Sequence, residues 1–167
     1  PIVTHPLQAF VTEPIKPFIS TGVSSTNLHV YIYQTDRGEL VVGGAVDHYP
    51  SYSHMSTDFR LEDLVSHALK MFPSLSKVNV LRQWTGLCDM TPDYAPIMGY
   101  VPGVKRFLLN CGWGTYGFKS APIAGKSMAE LIDTGVEPDL IKPFSITRFD
   151  DGRLVNEKGA ASSAALH

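Results

Sequence analysis

Asn110-Cys111-Gly112-Trp113-Gly114-Thr115-Tyr116-Gly117-Phe118-Lys119 is the stretch on which the reading of this chain turns. It reads as the end of a strand, three glycines within six residues, and the start of a helix. Glycine lets a backbone come close to a flat or anionic group. A helix start offers unpaired N–H groups and a partial positive charge, which together favour an electron-rich oxygen. Lys119 adds a full charge at the same place. The plainer reading is a tight strand–helix connection with an exposed lysine. Gly112, Gly114 and Gly117 also spell GxGxxG, but no acidic residue ends a following strand about 20 residues on, as a dinucleotide site requires.

Around this stretch the elements alternate in kind. Downstream, the spacing predicts a helix over Ser120 to Thr134, with Ala124, Met128, Leu131 and Ile132 on one face and Gly135 as its stop. Pro138 to Phe149 then reads as extended, and Gly159 to His167 as a mobile tail of small residues. Upstream, Arg106 to Cys111 and Ala95 to Tyr100 read as short strands around a Pro102-Gly103 turn. Lys77 to Leu87 reads as a longer strand that runs toward a Thr91-Pro92-Asp93 turn. Leu61, Leu64, Val65, Ala68, Leu69 and Phe72 recur at helical spacing, with Asp58 as the cap and Pro73 as the stop. His5 to Glu13, Leu28 to Thr35 and Leu40 to Gly44 are strands, the last two joined by an Asp36-Arg37-Gly38 hairpin signal. Gly43-Gly44 marks a place where a backbone or ligand comes close. The expected fold class is α+β, a mixed and largely antiparallel sheet with two main helices.

Composition narrows the function. The chain has 167 residues, 44% apolar and 18% charged, enough to bury a core. Lys and Arg number 14 against 16 Asp and Glu, a formal charge of -2, so no basic field exists for a phosphate backbone. Apolar runs fall far short of the roughly 20 residues that span a bilayer. Neither nucleic acid nor membrane is therefore expected as a partner. Two cysteines, Cys88 and Cys111, argue against a disulfide framework and for a reducing cytoplasm. His48, His54 and His67 match no standard ligand spacing, so no metal is expected. The chain opens on Pro1-Ile2-Val3, close to a strand, and reads as the C-terminal part of a longer polypeptide.

The second informative segment is RQWTGLCDMTPDYAPIMG, residues 82–99. Taken alone it is a strand, a turn and a strand around a buried Trp84, or else the edge of a cofactor site. Paired with LLNCGWGTYGFKSAPIAGKSMAELI, residues 108–132, it resembles the C-terminal signatures of the D-amino-acid-oxidase/sarcosine-oxidase family of flavoenzymes. HPLQAFVTEPIKPFI (residues 5–19) and GRLVNEKGAA (residues 152–161) are similar to the β subunits of its heterotetrameric branch.

The resemblance implies a substrate-binding half of the family fold: a sheet region over 1–113, a flavin-edge loop and helix over 114–135, and an extended segment and tail over 136–167. It implies FAD, held non-covalently, because the position of the flavin-linked cysteine of monomeric relatives is Gly86 here, with Cys88 two residues later and assigned to the core. The family's Rossmann-type segment, which holds the FAD adenosine and pyrophosphate, does not match this chain. Nor does the histidine linked to FMN, since His5 is not at that position. Gly114, Thr115, Tyr116, Gly117 and Phe118 are placed at the flavin edge with Gly86, and Lys119 at the substrate carboxylate. Thr115 would orient the substrate amine. Tyr31 and Tyr33 share one strand face, either toward the substrate pocket or outward, with Tyr33 the favoured contact. Glu39 to Gly43 carries no oxygen-activating lysine, which fits transfer of electrons to a second flavin. His48 stands as an alternative base, and Arg82 as a strand-edge ion-pair partner or second carboxylate anchor.

The implied reaction oxidises a secondary N-methyl amino acid, sarcosine, to an imine that water hydrolyses to glycine and formaldehyde. The one-carbon unit passes to tetrahydrofolate, and hydrogen peroxide forms. Other subunits of a hetero-oligomer are implied partners, and the chain alone is expected to self-associate through the apolar surface it leaves bare. Proline or dimethylglycine as substrate, and a non-catalytic interaction domain without cofactor, remain the alternatives.

Overall fold

A computed structural model of the chain describes residues 1–155. Its strands are β1 (Val3–Thr12), β2 (Val23–Ser25), β3 (Val30–Gln34), β4 (Leu40–Val46), β5 (Val80–Met90), β6 (Ile97–Tyr100) and β7 (Leu108–Cys111). Its helices are α1 (Asp58–Met71) and α2 (Gly117–Thr134). Strands pair as β2-β3-β4-β1-β5 in one sheet and as β6-β7 in a hairpin. β1 runs antiparallel to β4, as do β2 and β4 to β3 and β6 to β7. The expected α+β class, with its antiparallel sheet and two helices, is what folds.

Two compact units form. In residues 5–87 the alternation of β3 sends Val30 and Ile32 to one face and Tyr31 and Tyr33 to the other. Val30 and Ile32 join Phe10, Leu40 and Val42 in a core that α1 closes with Leu64 and Ala68. Each such aliphatic side chain contributes about 1.5–3 kcal/mol by leaving water. Gly38 turns the β3–β4 hairpin at φ 104°, a value open to glycine at little cost. The cap of α1 is Thr57, which accepts from the Arg60 N–H, and not Asp58, which is the first helical residue. A hydroxyl one residue earlier reaches the N3 amide, leaving Asp58 to face the helix dipole.

Residues 1–4 and 88–155 form the other unit, where Met98, Ala124, Met128, Leu131 and Ile141 make the core. Gly135 stops α2 in the left-handed region at φ 69°. Ile132, expected on the buried face, is 63% exposed, because Leu131 and Met128 already fill the surface against β6.

Several expectations are corrected. β2 is a three-residue strand that no periodicity announced. Lys77 belongs to a 3-10 turn (Pro73–Lys77), so β5 starts only at Val80. Trp84, buried on one of the two readings of its segment, is 40% exposed on β5, an edge strand of the sheet. Residues 138–149 are not extended: they form 3-10 turns at Lys142–Phe144 and Ile146–Phe149, bound by short-range backbone bonds such as Phe144 N–H to Ile141 O. α2 starts at Gly117, three residues before the expected Ser120. The expected tail over Gly159 to His167 lies outside the described residues.

Candidate active site

The loop between β7 and α2 is built on the end of β5. The Gly114 N–H donates to Asp89 O at 3.1 Å. A Cβ on Gly112 would stand 2.7 Å from Thr91 Cγ2, and one on Gly114 3.0 Å from Met90 Sδ. Both glycines have positive φ, 68° and 51°. Close packing on the residues 89–91 therefore demands these glycines before any ligand is considered. Thr4 Oγ1 donates to Asp89 Oδ1 at 2.6 Å and fixes the same strand end from β1.

From this base the chain enters α2. Tyr116 precedes the first turn and gives no side-chain cap. The N–H groups of Gly117, Phe118 and Lys119 belong to the turn that a helix cannot satisfy from within. Thr115 and Lys119 are exposed, and Phe118 is 99% exposed. The Lys119 ammonium lies 5.0 Å from the centroid of the Tyr116 ring, within cation–π range. Gly114 through Lys119 thus lead into and open α2.

Tyr33 and Gly86 belong to the unit of residues 5–87. Tyr33 is half-exposed on the sheet face away from the α1 core, and Tyr31 shares that face. The Tyr31 ring lies over Gly43, where a Cβ would stand 2.2 Å from its hydroxyl oxygen, and Gly44 fits beneath His29 O. Close approach at the glycine pair thus comes from the chain itself. Gly86 is an exposed position on β5. Cys88 is buried as expected, and burial followed by the Asp89 charge pushes its thiol up. Arg82 is exposed and makes no ion pair among the described residues. His48 and His54 are exposed in the loop before α1, and His67 sits 3.8 Å from Asp63. No metal-binding group of His, Cys, Asp and Glu occurs among the described residues. No described helix is long and apolar enough to cross a membrane.

Sequence reasoning missed two buried ionic networks. In one, Arg60 Nε donates to Asp47 Oδ1 at 2.7 Å, and Gln8 Nε2 donates to Asp47 Oδ2 at 2.7 Å. Gln8 Oε1 accepts from the Thr57 N–H and from Gln83 Nε2, so a single amide joins both roots of the loop 48–56. In the other, Arg148 grips Asp93 with Nε at 2.7 Å and Nη2 at 2.9 Å. The sequence signal for the second was the Asp of the Thr-Pro-Asp turn. Its partner lies 55 residues away with no pattern to mark it.

A glycine-bearing loop that runs from a strand end into an uncapped helix start is the feature to set beside known proteins. The family model FAD dependent oxidoreductase matches residues 1–131, and the chain belongs to that family. It is similar to sarcosine oxidase subunit beta of Rhodobacter capsulatus, 42% identical over 98% of this chain and 39% of that protein. The Arthrobacter sp. subunit beta is 41% identical over 98% of this chain and 40% of its own length. The crystal structure of L-proline dehydrogenase from P. horikoshii superposes with a TM-score of 0.86 at 30% identity, covering 92% of this chain and 42% of that one. The chain thus spans about 40% of the length of the curated relatives it matches.

The family uses FAD, and one part of this chain suits it. The uncapped first turn of α2, with the Lys119 ammonium on it, is a donor set whose chemistry suits an electron-rich oxygen.

Proposed function

We propose that this chain forms the substrate side of an FAD-dependent oxidoreductase that oxidises a secondary N-methyl amino acid, sarcosine, to glycine and formaldehyde. The observation that carries the reading is the uncapped α2 start, with Lys119 on its first turn, set on residues 89–91 by the Gly112 and Gly114 packing. The similarity to sarcosine oxidase β subunits supports it. Bound FAD would supply acceptance of two electrons from the substrate carbon. The chain's residues do the rest. First-turn N–H groups of Gly117 and Phe118 stabilise charge at the flavin edge, with Gly114, Thr115 and Tyr116 around it. Lys119 pairs with the substrate carboxylate, and Thr115 orients the amine. An anchored carboxylate fixes the N-methyl group at reacting distance, which converts binding into orientation.

Proline is the second reading, favoured by the superposition on L-proline dehydrogenase. The relatives' designation as subunit beta supports a multi-subunit assembly. An FMN held in that assembly by a histidine that His5 does not match belongs to the proposal as well. A cytoplasmic setting is part of the proposal, supported by the free Cys88 and Cys111.

Lys119→Met in the whole protein that carries this chain tests the assignment. It removes the charge and keeps most of the volume. Losing one partner of a desolvated pair costs about 2–5 kcal/mol. That is roughly thirtyfold to several thousandfold in kcat/KM for sarcosine, with flavin content kept. An unchanged kcat/KM at normal flavin content removes Lys119 from the site.

A further inference from the structure

Arg148 is buried at 2% exposure, and all five of its N–H donors are used. Nε and one Nη2 hydrogen go to the two oxygens of Asp93, and the other Nη2 hydrogen to Ala95 O at 2.8 Å. Nη1 donates to Phe144 O at 3.0 Å and Ser145 O at 3.2 Å. The guanidinium plane also lies 4.1 Å from the Phe149 ring centroid. Asp93 Oδ2 accepts in addition the Val155 N–H at 3.0 Å, so the carboxylate ties down a second point of the same segment.

Asp93 belongs to the turn that carries the glycine loop. Thr91 Oγ1 donates to Ala95 O at 2.7 Å and holds the turn shut. Thr91 Cγ2 is the surface on which Gly112 rests, and Asp89 O accepts the Gly114 N–H. A chain of direct contacts therefore runs from the segment 144–155 through Asp93 and Thr91 to the loop that opens α2. Arg148 and Val155 both lie beyond residues 1–131, the part matched by the family model.

We propose that Asp93 and Arg148 are positioning residues: the segment 144–155 is a strap that sets the Gly112–Gly117 loop, and with it the N–H groups offered to the flavin edge. A planar fork is needed, because a lysine ammonium cannot serve Asp93, Ala95, Phe144 and Ser145 at once. The role in flavin binding rests on the function proposed above; the setting of the loop does not.

The test uses the whole protein that carries this chain, as parent, Arg148→Lys, and the charge-neutral double variant Asp93→Asn/Arg148→Gln, which leaves no buried charge unpaired. Amide hydrogen exchange is read at Gly114 and at Leu131 in the core of α2, and FAD affinity and visible spectrum by titration with FAD. The expected result is exchange at Gly114 faster by about tenfold or more with Leu131 unchanged. With it comes a rise of about tenfold in the FAD Kd, the size that loss of outer supporting groups typically brings at a bound centre. Equal loss of protection at both amides, or no change at either, overturns the proposal, as does an unchanged FAD Kd and spectrum in variants whose Gly114 exchange is faster. A parent that takes no FAD overturns the flavin part together with the proposed function, while the Gly114 result still decides whether the strap sets the loop.

Discussion

Arg60→Met should loosen the root of the loop before α1. Arg60 is buried, and its Nε–Asp47 Oδ1 bond of 2.7 Å joins two side chains almost wholly removed from water. With Arg60 replaced, the Asp47 carboxylate keeps the Gln8 amide and the Tyr49 hydroxyl, neither of which carries charge. Breaking a buried pair from one side costs about 3–5 kcal/mol, because the remaining charge cannot regain its hydration. For a domain of this size each kcal/mol moves the melting point by about 2–4 °C, so a fall of about 6–20 °C is expected. Asp47→Asn combined with Arg60→Met leaves no buried charge behind, only the partly exposed Asp63 without its Arg60 partner, and should recover more than half of the loss. Urea unfolding of the parent, the two single variants and the double variant gives the coupling energy, and exchange at the Thr57 amide, held by Gln8 Oε1 at 2.9 Å, reports the loop root directly. A single variant within about 1 kcal/mol of the parent, or a double variant no better than Arg60→Met, refutes the reasoning.

Acid should weaken the Asp93 strap late. Burial alone would raise that carboxyl, but the Arg148 bonds and charge with the Val155 and Ala95 N–H groups outweigh it and hold it at about 2, below its ordinary 3.8. A lowered folded value adds stability that is complete above 3.8 and is lost as pH falls through about 2, some 2 kcal/mol in all. The stability gap between the parent and Asp93→Asn should therefore be constant above pH 4 and narrow toward pH 2; a gap that holds at pH 2 contradicts this. Leu64→Ala empties a site in contact with the backbone of β4 and should cost about 2–5 kcal/mol in urea unfolding. Alkylation by a neutral maleimide at pH 7 should be slow at Cys88, whose thiol is buried and raised; labelling as fast as that of a free thiol contradicts its place in the core.

What could be read from the sequence was local. The hairpin at Asp36-Arg37-Gly38 and the α1 stripe announce themselves because turn chemistry and helical spacing act over a few residues. Gly135 marks the end of α2 for the same reason. The start of α2 was misplaced because Tyr116 offers no cap and Gly117 is a poor helix former, so nothing in the sequence signals helix there. β2 is too short for a period, and Pro138 and Pro143 read as extended chain although short-range bonds curl it into 3-10 turns. A buried Trp84 was one of two readings open to the segment 82–99, and only sheet order, which puts it on an edge strand, decides against it. For the candidate site, the glycine loop and Lys119 were legible as a cluster, since they are consecutive. The supports beneath them were not: Thr4 meets Asp89 across 85 residues, and Arg148 meets Asp93 across 55, and such pairings follow only from the fold.

The central claim, a flavin amine oxidoreductase with its substrate anchor at Lys119, is tested most directly by mixing the FAD-loaded whole protein with sarcosine in the absence of oxygen. The account predicts that the visible flavin band bleaches and formaldehyde appears in equal amount, and that Lys119→Met slows the bleaching by at least about thirtyfold at low sarcosine. A stoichiometric flavin that stays oxidised with sarcosine and with proline contradicts it.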